Sequence, residues 1–187
     1  MSESASALNE LAFAVENECG CNERPIVLRA LRDGARDFCI RSEAWVCDSW
    51  YDNEPDADLY DGAGALDAYV HRVLNVEYLR NGNIIPLREQ EYELAGTNLV
   101  KVKRPHPEEV SEIRIRAVLI PNPGSETLPD ELAKRYRDGI VYAACMRIVR
   151  QAGKPWFSPE LEQMFQLNYL REVTKAICAI QSQYETR

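Results

Sequence analysis

Apolar residues near the start of the chain recur at the spacing of α-helices. Leu8, Leu11, Ala12 and Val15 fall on one side of a helix predicted over residues 3–17, and Gly20 then ends it. A second helix is predicted from Pro25, because proline suits the first turn of a helix. Its apolar stripe consists of Val27, Leu31, Ala35, Phe38 and Cys39. Both helices therefore have a face to bury.

The middle of the chain has the pattern of strands. Residues 45–51 and 69–79 are rich in aromatic and β-branched residues, and the second run leads into Asn81-Gly82, a strong signal for a tight hairpin. Ile84 and Ile85 begin the returning strand. Residues 99–102 and 113–120 predict further strands, the last alternating at its start as a half-buried strand should.

The last third is again helical. One helix is predicted from Pro129 to about Gln151, and Gly153 stops it. Ser158 and Pro159 are typical of the first positions of another helix. The long stripe of that helix contains Leu161, Phe165, Tyr169, Val173, Ile177, Ile180 and Tyr184. These elements predict an α+β fold: a helical bundle with a β-rich insertion, a small barrel or sheet, between its second and third helices. The expected division is residues 1–43 and 127–187 for the bundle and residues 44–126 for the insertion.

Acidic residues dominate the charge. The chain has a formal net charge of -8 and a pI near 4.9, whereas a protein that grips the DNA backbone usually presents a basic face. Residues 48–67 contain seven acids and no Lys or Arg, which predicts an exposed acidic loop. Its run of Asp52, Glu54, Asp56 and Asp58 resembles a calcium loop, but Ala57 and Ala63 stand where glycine and glutamate are needed. A solvated loop is favoured over a divalent-ion site.

The six cysteines are Cys19, Cys21, Cys39, Cys47, Cys145 and Cys178. The favoured interpretation is that they are reduced and mostly buried, as in proteins made in the cytosol. The alternative is a zinc site formed by the first four. Their spacing lacks the usual paired cysteines, so no metal is predicted.

The sequence contains no recognisable catalytic motif. There are two histidines, His71 and His106, and no Ser or Cys lies in a nucleophile-elbow sequence. Gly62-Ala63-Gly64 lacks the third glycine and the Lys-Ser/Thr ending of a phosphate loop. We therefore predict neither an enzyme nor a cofactor. The N-terminus has no signal-peptide pattern, and no apolar run is long enough to span a membrane, so no membrane partner is predicted.

Arg114 and Arg116 alternate with Ile113 and Ile115 in the last predicted strand. One interpretation is an ordinary solvated strand face. The other is a basic face that meets an acidic neighbour, such as the 48–67 segment of an adjacent copy, where charge sets register and specificity more than affinity.

Three segments in order resemble the phage head-to-tail adaptor family, of the tail tubular protein A and head-tail connector type. They are residues 30–39 ending near Trp45, residues 69–78 with the Asn81-Gly82 turn, and residues 128–133 followed by 143–145 and 153–159. The resemblance covers roughly residues 25–175. It consists of fold signatures and includes no catalytic signature.

The resemblance implies a structural virion protein, assembled in the host cytoplasm and located in the virion neck. Such a protein forms a homo-oligomeric ring of about twelve copies that docks under the portal protein. It joins the portal to a tail tube, nozzle or tail-completion protein, and DNA passes through its lumen without sequence-specific binding. An acidic lumen would repel DNA phosphates.

The same resemblance suggests roles for particular residues. The C-terminal segment would reach toward the portal, with Gln181, Tyr184, Glu185 and Arg187 as candidates. The β insertion would face tail components or the adjacent copy through Asp52, Asp56, Asp58, Arg114 and Arg116. Gly153, Pro155 and Trp156 would form a stiff corner between two helices. The alternatives are another neck or tail-completion protein, a soluble intracellular binding module, and an enzyme with an unrecognised site.

Overall fold

The computed structural model describes residues 3–54, 57–64, 66–103, 110–125 and 127–185, with side chains from residue 7 to residue 182 within those ranges. The chain divides into two units. The helical unit comprises Met1–Ala44 and Pro121–Arg187, and the β unit comprises Trp45–Ile120. The predicted fold class is confirmed: an α+β chain in which a β insertion separates the second and third helices.

In the described residues of the helical unit there are five α-helices: α1 (Glu3–Cys19), α2 (Arg24–Ser42), α3 (Asp130–Arg135), α4 (Arg137–Val149) and α5 (Pro159–Glu185). Helix α4 packs against all four others. The predicted stripe of α2 is buried from Val27 to Cys39. Gly34 permits a close approach to α4, since a Cβ there would lie 3.1 Å from the backbone nitrogen of Ala144.

A polar cluster joins α2, α4 and α5. The Tyr169 hydroxyl donates a hydrogen bond of 2.6 Å to Asp37. Arg41 lies 3.1 Å and Arg147 3.9 Å from the same carboxylate. Burial, and then the bond to Asp37, raise the pKa of Tyr169. The carboxylate thus has partners on all three helices.

The prediction of a single helix from Pro129 to about Gln151 is wrong, because the helix is interrupted at Tyr136. There the backbone leaves helical geometry (φ -118°, ψ 27°), which separates α3 from α4. The Tyr136 ring packs 5.2 Å from that of Phe38, and Gly139 lies against Phe38 with no room for a side chain. The helix is therefore interrupted where Tyr136 and Gly139 pack against the Phe38 ring. The apolar repeat of residues 129–151 does not predict the interruption, because Phe38 belongs to another helix.

The part of the β unit that the structure describes contains seven strands. They are β1 (Val46–Asp52), β2 (Leu59–Asp61), β3 (Ala68–Arg80), β4 (Asn83–Pro86), β5 (Tyr92–Ala95), β6 (Leu99–Val102) and β7 (Val110–Pro121). They make a four-stranded sheet in the order β1-β7-β3-β4 and a three-stranded sheet in the order β2-β6-β5. The pairs β1–β7, β3–β4, β2–β6 and β5–β6 are antiparallel. Val76, Ile113 and Ile115 of the first sheet share a buried core with Tyr60 and Val100 of the second.

The hairpin at Asn81-Gly82 is confirmed. Both residues have positive φ, 50° and 77°, and Arg80 pairs with Asn83 across the turn. Glycine tolerates this conformation without cost, and asparagine tolerates it better than most residues. The turn therefore fixes the register of β3 and β4.

The exposed acidic loop predicted over residues 48–67 is wrong in two places. Its first residues, up to Asp52, belong to β1, and Leu59–Asp61 forms β2. Ser49, Tyr60 and Ala63 are buried. In β1 the acids Asp48 and Asp52 occupy outward positions, and the positions between them alternate toward the core. The number of acids in this segment favoured a loop and hid the alternation that is typical of a strand. None of the helices in the described ranges is long and apolar enough to cross a membrane.

Candidate interaction surface

The outward side of the four-stranded sheet, named here the outer sheet face, carries Trp50, Asp48, Arg114, Arg116, Glu77, Ile84 and Pro86. Strand register places them together. Trp50 is opposite Arg114 and Asp48 opposite Arg116, while Glu77 is opposite Pro86. The inward positions of the same strands, such as Ile113 and Ile115, fill the core.

Arg114 is the centre of this face. Its guanidinium donates a hydrogen bond of 2.6 Å to Asp48 of β1 and one of 3.0 Å to Glu77 of β3. Its side chain is only 15% exposed, and the bond to Asp48 is the main reason its pKa is raised. Charge-assisted bonds of this length are the strong ones. Arg114 therefore bridges three neighbouring strands.

Trp50 is presented to solvent beside this bridge. The Arg114 guanidinium lies 5.2 Å from the centre of the Trp50 ring, within the range of a cation–π contact. Trp50 is nevertheless 49% exposed, and Ile84 on the same face is 54% exposed. A tryptophan that is held in place yet half exposed is typical of an interaction surface, because Trp and Arg dominate binding hot spots.

The structure distributes the predicted charged candidates unevenly. Arg116 lies 3.5 Å from Asp48, so both predicted arginines gather around one carboxylate. Asp52 is at the end of β1, opposite Glu112. Asp58 belongs with the other sheet, where it lies 3.4 Å from Lys101. Asp56 is outside the described residues.

Asp48, Trp50 and Glu77 were not among the predicted site residues. Asp48, an acidic partner of Arg114 within the same chain, lies in the 48–67 segment, and a contact of that segment with an adjacent copy stays a prediction. The alternation of exposed and buried positions in β1 would have placed Asp48 and Trp50 on its outward face. The many acids of the segment favoured a loop instead. Glu77 carried no local signal, since it lies 37 residues from Arg114 in sequence.

The predicted corner lies between α4 and α5. Gly153 has a φ of 81°, a left-handed value that favours glycine. The Ser158 amide donates a hydrogen bond of 3.0 Å to the Val149 carbonyl, which closes the turn. Trp156 is half-buried with the Lys154 ammonium 5.2 Å from its ring centre, and Pro155 is exposed. A role in contacting a partner stays a prediction.

Three of the four C-terminal candidates, Gln181, Tyr184 and Glu185, belong to α5. Gln181 is exposed, and the helix continues to Glu185. The side chains of Tyr184 and Glu185 are outside the described set, as is the whole of Arg187.

The cysteines lie in both units, and two of them, Cys19 and Cys145, hydrogen-bond to each other within the helical unit. Cys19, Cys21 and Cys39 are buried in the helical unit, whereas Cys47 lies on β1 of the β unit. Burial raises the pKa of Cys39 to about 12. Among the described residues, no three His, Cys, Asp or Glu side chains are grouped as metal ligands would be.

Comparison with known proteins gives little. No protein-family model matches the chain, and no curated protein matches it. One solved chain that it resembles is described as the neck of an empty GTA particle computed with C6 symmetry. The two share 13% identity over 88% of this chain and 92% of that one, with a TM-score of 0.35. Backbones that superpose so loosely transfer no residue and no role.

Proposed function

We propose that this chain is a head-to-tail adaptor. It forms a ring that docks under the portal, joins the portal to the tail and makes part of the DNA channel. The helical unit meets the portal, and the β unit faces tail components or the adjacent copy. The protein acts through contact and performs no catalysis.

The outer sheet face carries the proposal. Trp50 and Ile84 leave large apolar surfaces in water, and the cation–π contact with Arg114 favours one position of the Trp50 ring. Ordering a side chain before binding reduces the entropy lost on binding. A half-exposed tryptophan fixed in this way favours a role in binding another protein.

The resembling segments add support, because they map onto the frame of the fold. The first lies in α2 and the second in β3 with its hairpin, while the third spans α3, α4 and the corner before α5. They are the elements that build the bundle and its insertion.

Mixing the purified chain with portal rings from the same genome tests the proposal. We expect co-sedimentation with the portal and, in electron micrographs, an added ring at one end of it. A chain that sediments separately from the portal at high protein concentration would contradict the adaptor role and favour the soluble binding module.

A further inference from the structure

Helices α2 and α4 form a groove whose edge is basic. Arg29, Arg147 and Arg150 line it together with Asp33, and it encloses about 520 Å³. Ile26 and Ala30 add an apolar floor. Helix α2 has five arginines against two aspartates, a local excess of positive charge in a chain whose net charge is -8.

The arginines of this groove are weakly paired. Arg29 lies 4.0 Å from Asp33, Arg147 3.9 Å from Asp37, and Arg150 3.7 Å from Glu162. Within the described part of the chain none of the three guanidinium groups donates a hydrogen bond, whereas that of Arg114 donates bonds of 2.6 and 3.0 Å. These guanidinium groups retain the capacity to bind carboxylates.

Helix α1 has the opposite character. It contains four glutamates and no Lys or Arg. Its outward side presents Phe13, 64% exposed, near Glu10 and Asn17 at helical spacing. Glu10 and Glu18 make no ion pair or hydrogen bond with other described residues. Glu10 lies one turn before Phe13, while Glu16, one turn after it, is bonded to Arg24 at 2.8 Å. An exposed apolar ring with one unpaired acid beside it complements an apolar floor rimmed by arginines.

The two surfaces do not meet within one molecule. Leu8, Leu11 and Val15 bury the other side of α1 within its own unit, so Phe13 faces away from the helices that form the groove. We infer that the α2–α4 groove of one copy receives the acidic face of α1 of a second copy, with Phe13 over Ile26 and Ala30. The contact uses two different patches and is heterologous, the type that propagates around a ring. It rests on the proposed adaptor function, for which it supplies the subunit contact.

Two variants, each defective in one patch, test the contact. Phe13→Asp disables the α1 face, and Arg29→Glu with Arg150→Glu disables the groove. Both sites are exposed, so we expect native circular dichroism spectra and melting temperatures. In sedimentation velocity at low salt and protein concentrations up to about 1 mM, the wild-type chain should associate, and each variant alone should remain monomeric.

Mixing the variants is decisive. The intact groove of Phe13→Asp fits the intact α1 of the arginine variant, so the mixture should form a 1:1 dimer and nothing larger. Leu167→Ala, which alters an exposed leucine of α5, should associate like the wild-type chain. A monomeric wild-type chain, unaltered association of the variants, or a mixture that remains monomeric would overturn the contact.

Further readouts separate other outcomes. If the arginine variant associates normally but loses retention of duplex DNA, the groove serves DNA and the inference fails. A wild-type chain that binds portal rings but does not associate with itself rejects the contact and leaves the adaptor function standing. A wild-type chain that associates with itself but does not bind portal rings supports the contact and contradicts the adaptor function.

Discussion

Asp37 accepts a hydrogen bond from Tyr169 and lies close to two arginines, so one carboxylate links three helices of the bundle. Each helix contributes an apolar stripe that the sequence predicts. The polar contact that locks the stripes in register joins residues 132 positions apart. A stripe specifies which side of a helix is buried, and polar contacts of this kind specify which neighbour it meets.

Removing the Tyr169 hydroxyl tests this contact. Tyr169→Phe leaves the Asp37 carboxylate without its shortest hydrogen bond, and bonds to charged groups contribute about 1.5–3 kcal/mol. We expect the free energy of unfolding, measured in urea, to fall by about that amount. Tyr142→Phe is the matched control, because the Tyr142 ring stacks on Phe165 and no hydrogen bond involves its hydroxyl within the described residues. Equal losses in both variants would contradict the assignment.

Buried tyrosines make stability sensitive to alkali. Burial, with repulsion from Tyr78 and nearby acids, raises the pKa of Tyr60 to about 12. An unfolded tyrosine loses its proton near pH 10, so the contribution is complete below about pH 10 and is lost as pH rises toward 12. Urea unfolding at about pH 8 and about pH 10.5 should show a lower free energy at the higher pH. Tyr60→Phe should reduce that difference, and an unchanged difference would exclude Tyr60 as its source.

At the scale of elements, the sequence predicts long segments well and short ones poorly. Helix α5 and strand β3 span 27 and 13 residues, enough for the apolar period to repeat. Strands β2 and β5 have three and four residues, too few for a period to be recognised. Strand β6 also has four, but its apolar and β-branched residues predict it without a period. The interruption at Tyr136 is of a different kind, because the Phe38 ring beside it belongs to another helix.

A substitution at Gly139 tests whether the close packing of α4 against Phe38 outweighs helix propensity. Alanine normally favours a helix over glycine by about 1 kcal/mol, but a Cβ at position 139 would lie 2.4 Å from the Phe38 ring. Phe38 is buried, so the ring has no room to move away. We expect Gly139→Ala to lower the free energy of unfolding by about 1–3 kcal/mol.

Gly124→Ala provides the comparison, because its Cβ would lie 3.6 Å from the nearest atom, an ordinary contact. It should change stability by about 0.5 kcal/mol or less. A stabilised Gly139→Ala variant would mean that helix propensity outweighs the close contact with Phe38.

At the scale of the whole molecule, the order of elements was predictable because each half of the bundle carries its own stripe. The outer sheet face was only partly predictable. Arg114 and Arg116 stand out in an alternating strand, but their shared partner Asp48 lies 66 residues from Arg114. Pairing of β1 with β7 brings them together, and strand pairing has no local signature.

The proposed role assigns a function to Trp50. Trp50→Ala should leave portal docking unchanged but lower tail attachment, scored as infectious particles in a complementation assay. A central hot spot contributes about 2 kcal/mol or more, which corresponds to roughly a thirtyfold loss of affinity. Leu59→Ala is matched to it, since Leu59 is 47% exposed on the other sheet. Equal particle yields from the two variants would rule out Trp50 as a tail contact.

The β unit begins and ends at one place. Val46 pairs with Val118, and the Leu119 amide donates a hydrogen bond of 2.7 Å to the Trp45 carbonyl. The chain thus leaves the bundle after α2 and returns to it through two paired strands, β1 and β7. One recombination event with ends at these two strands can exchange the whole β unit while the helical unit stays the same, which under the proposed function would change the tail contact and keep the portal contact. Diversity among such proteins should therefore concentrate between residues 45 and 120.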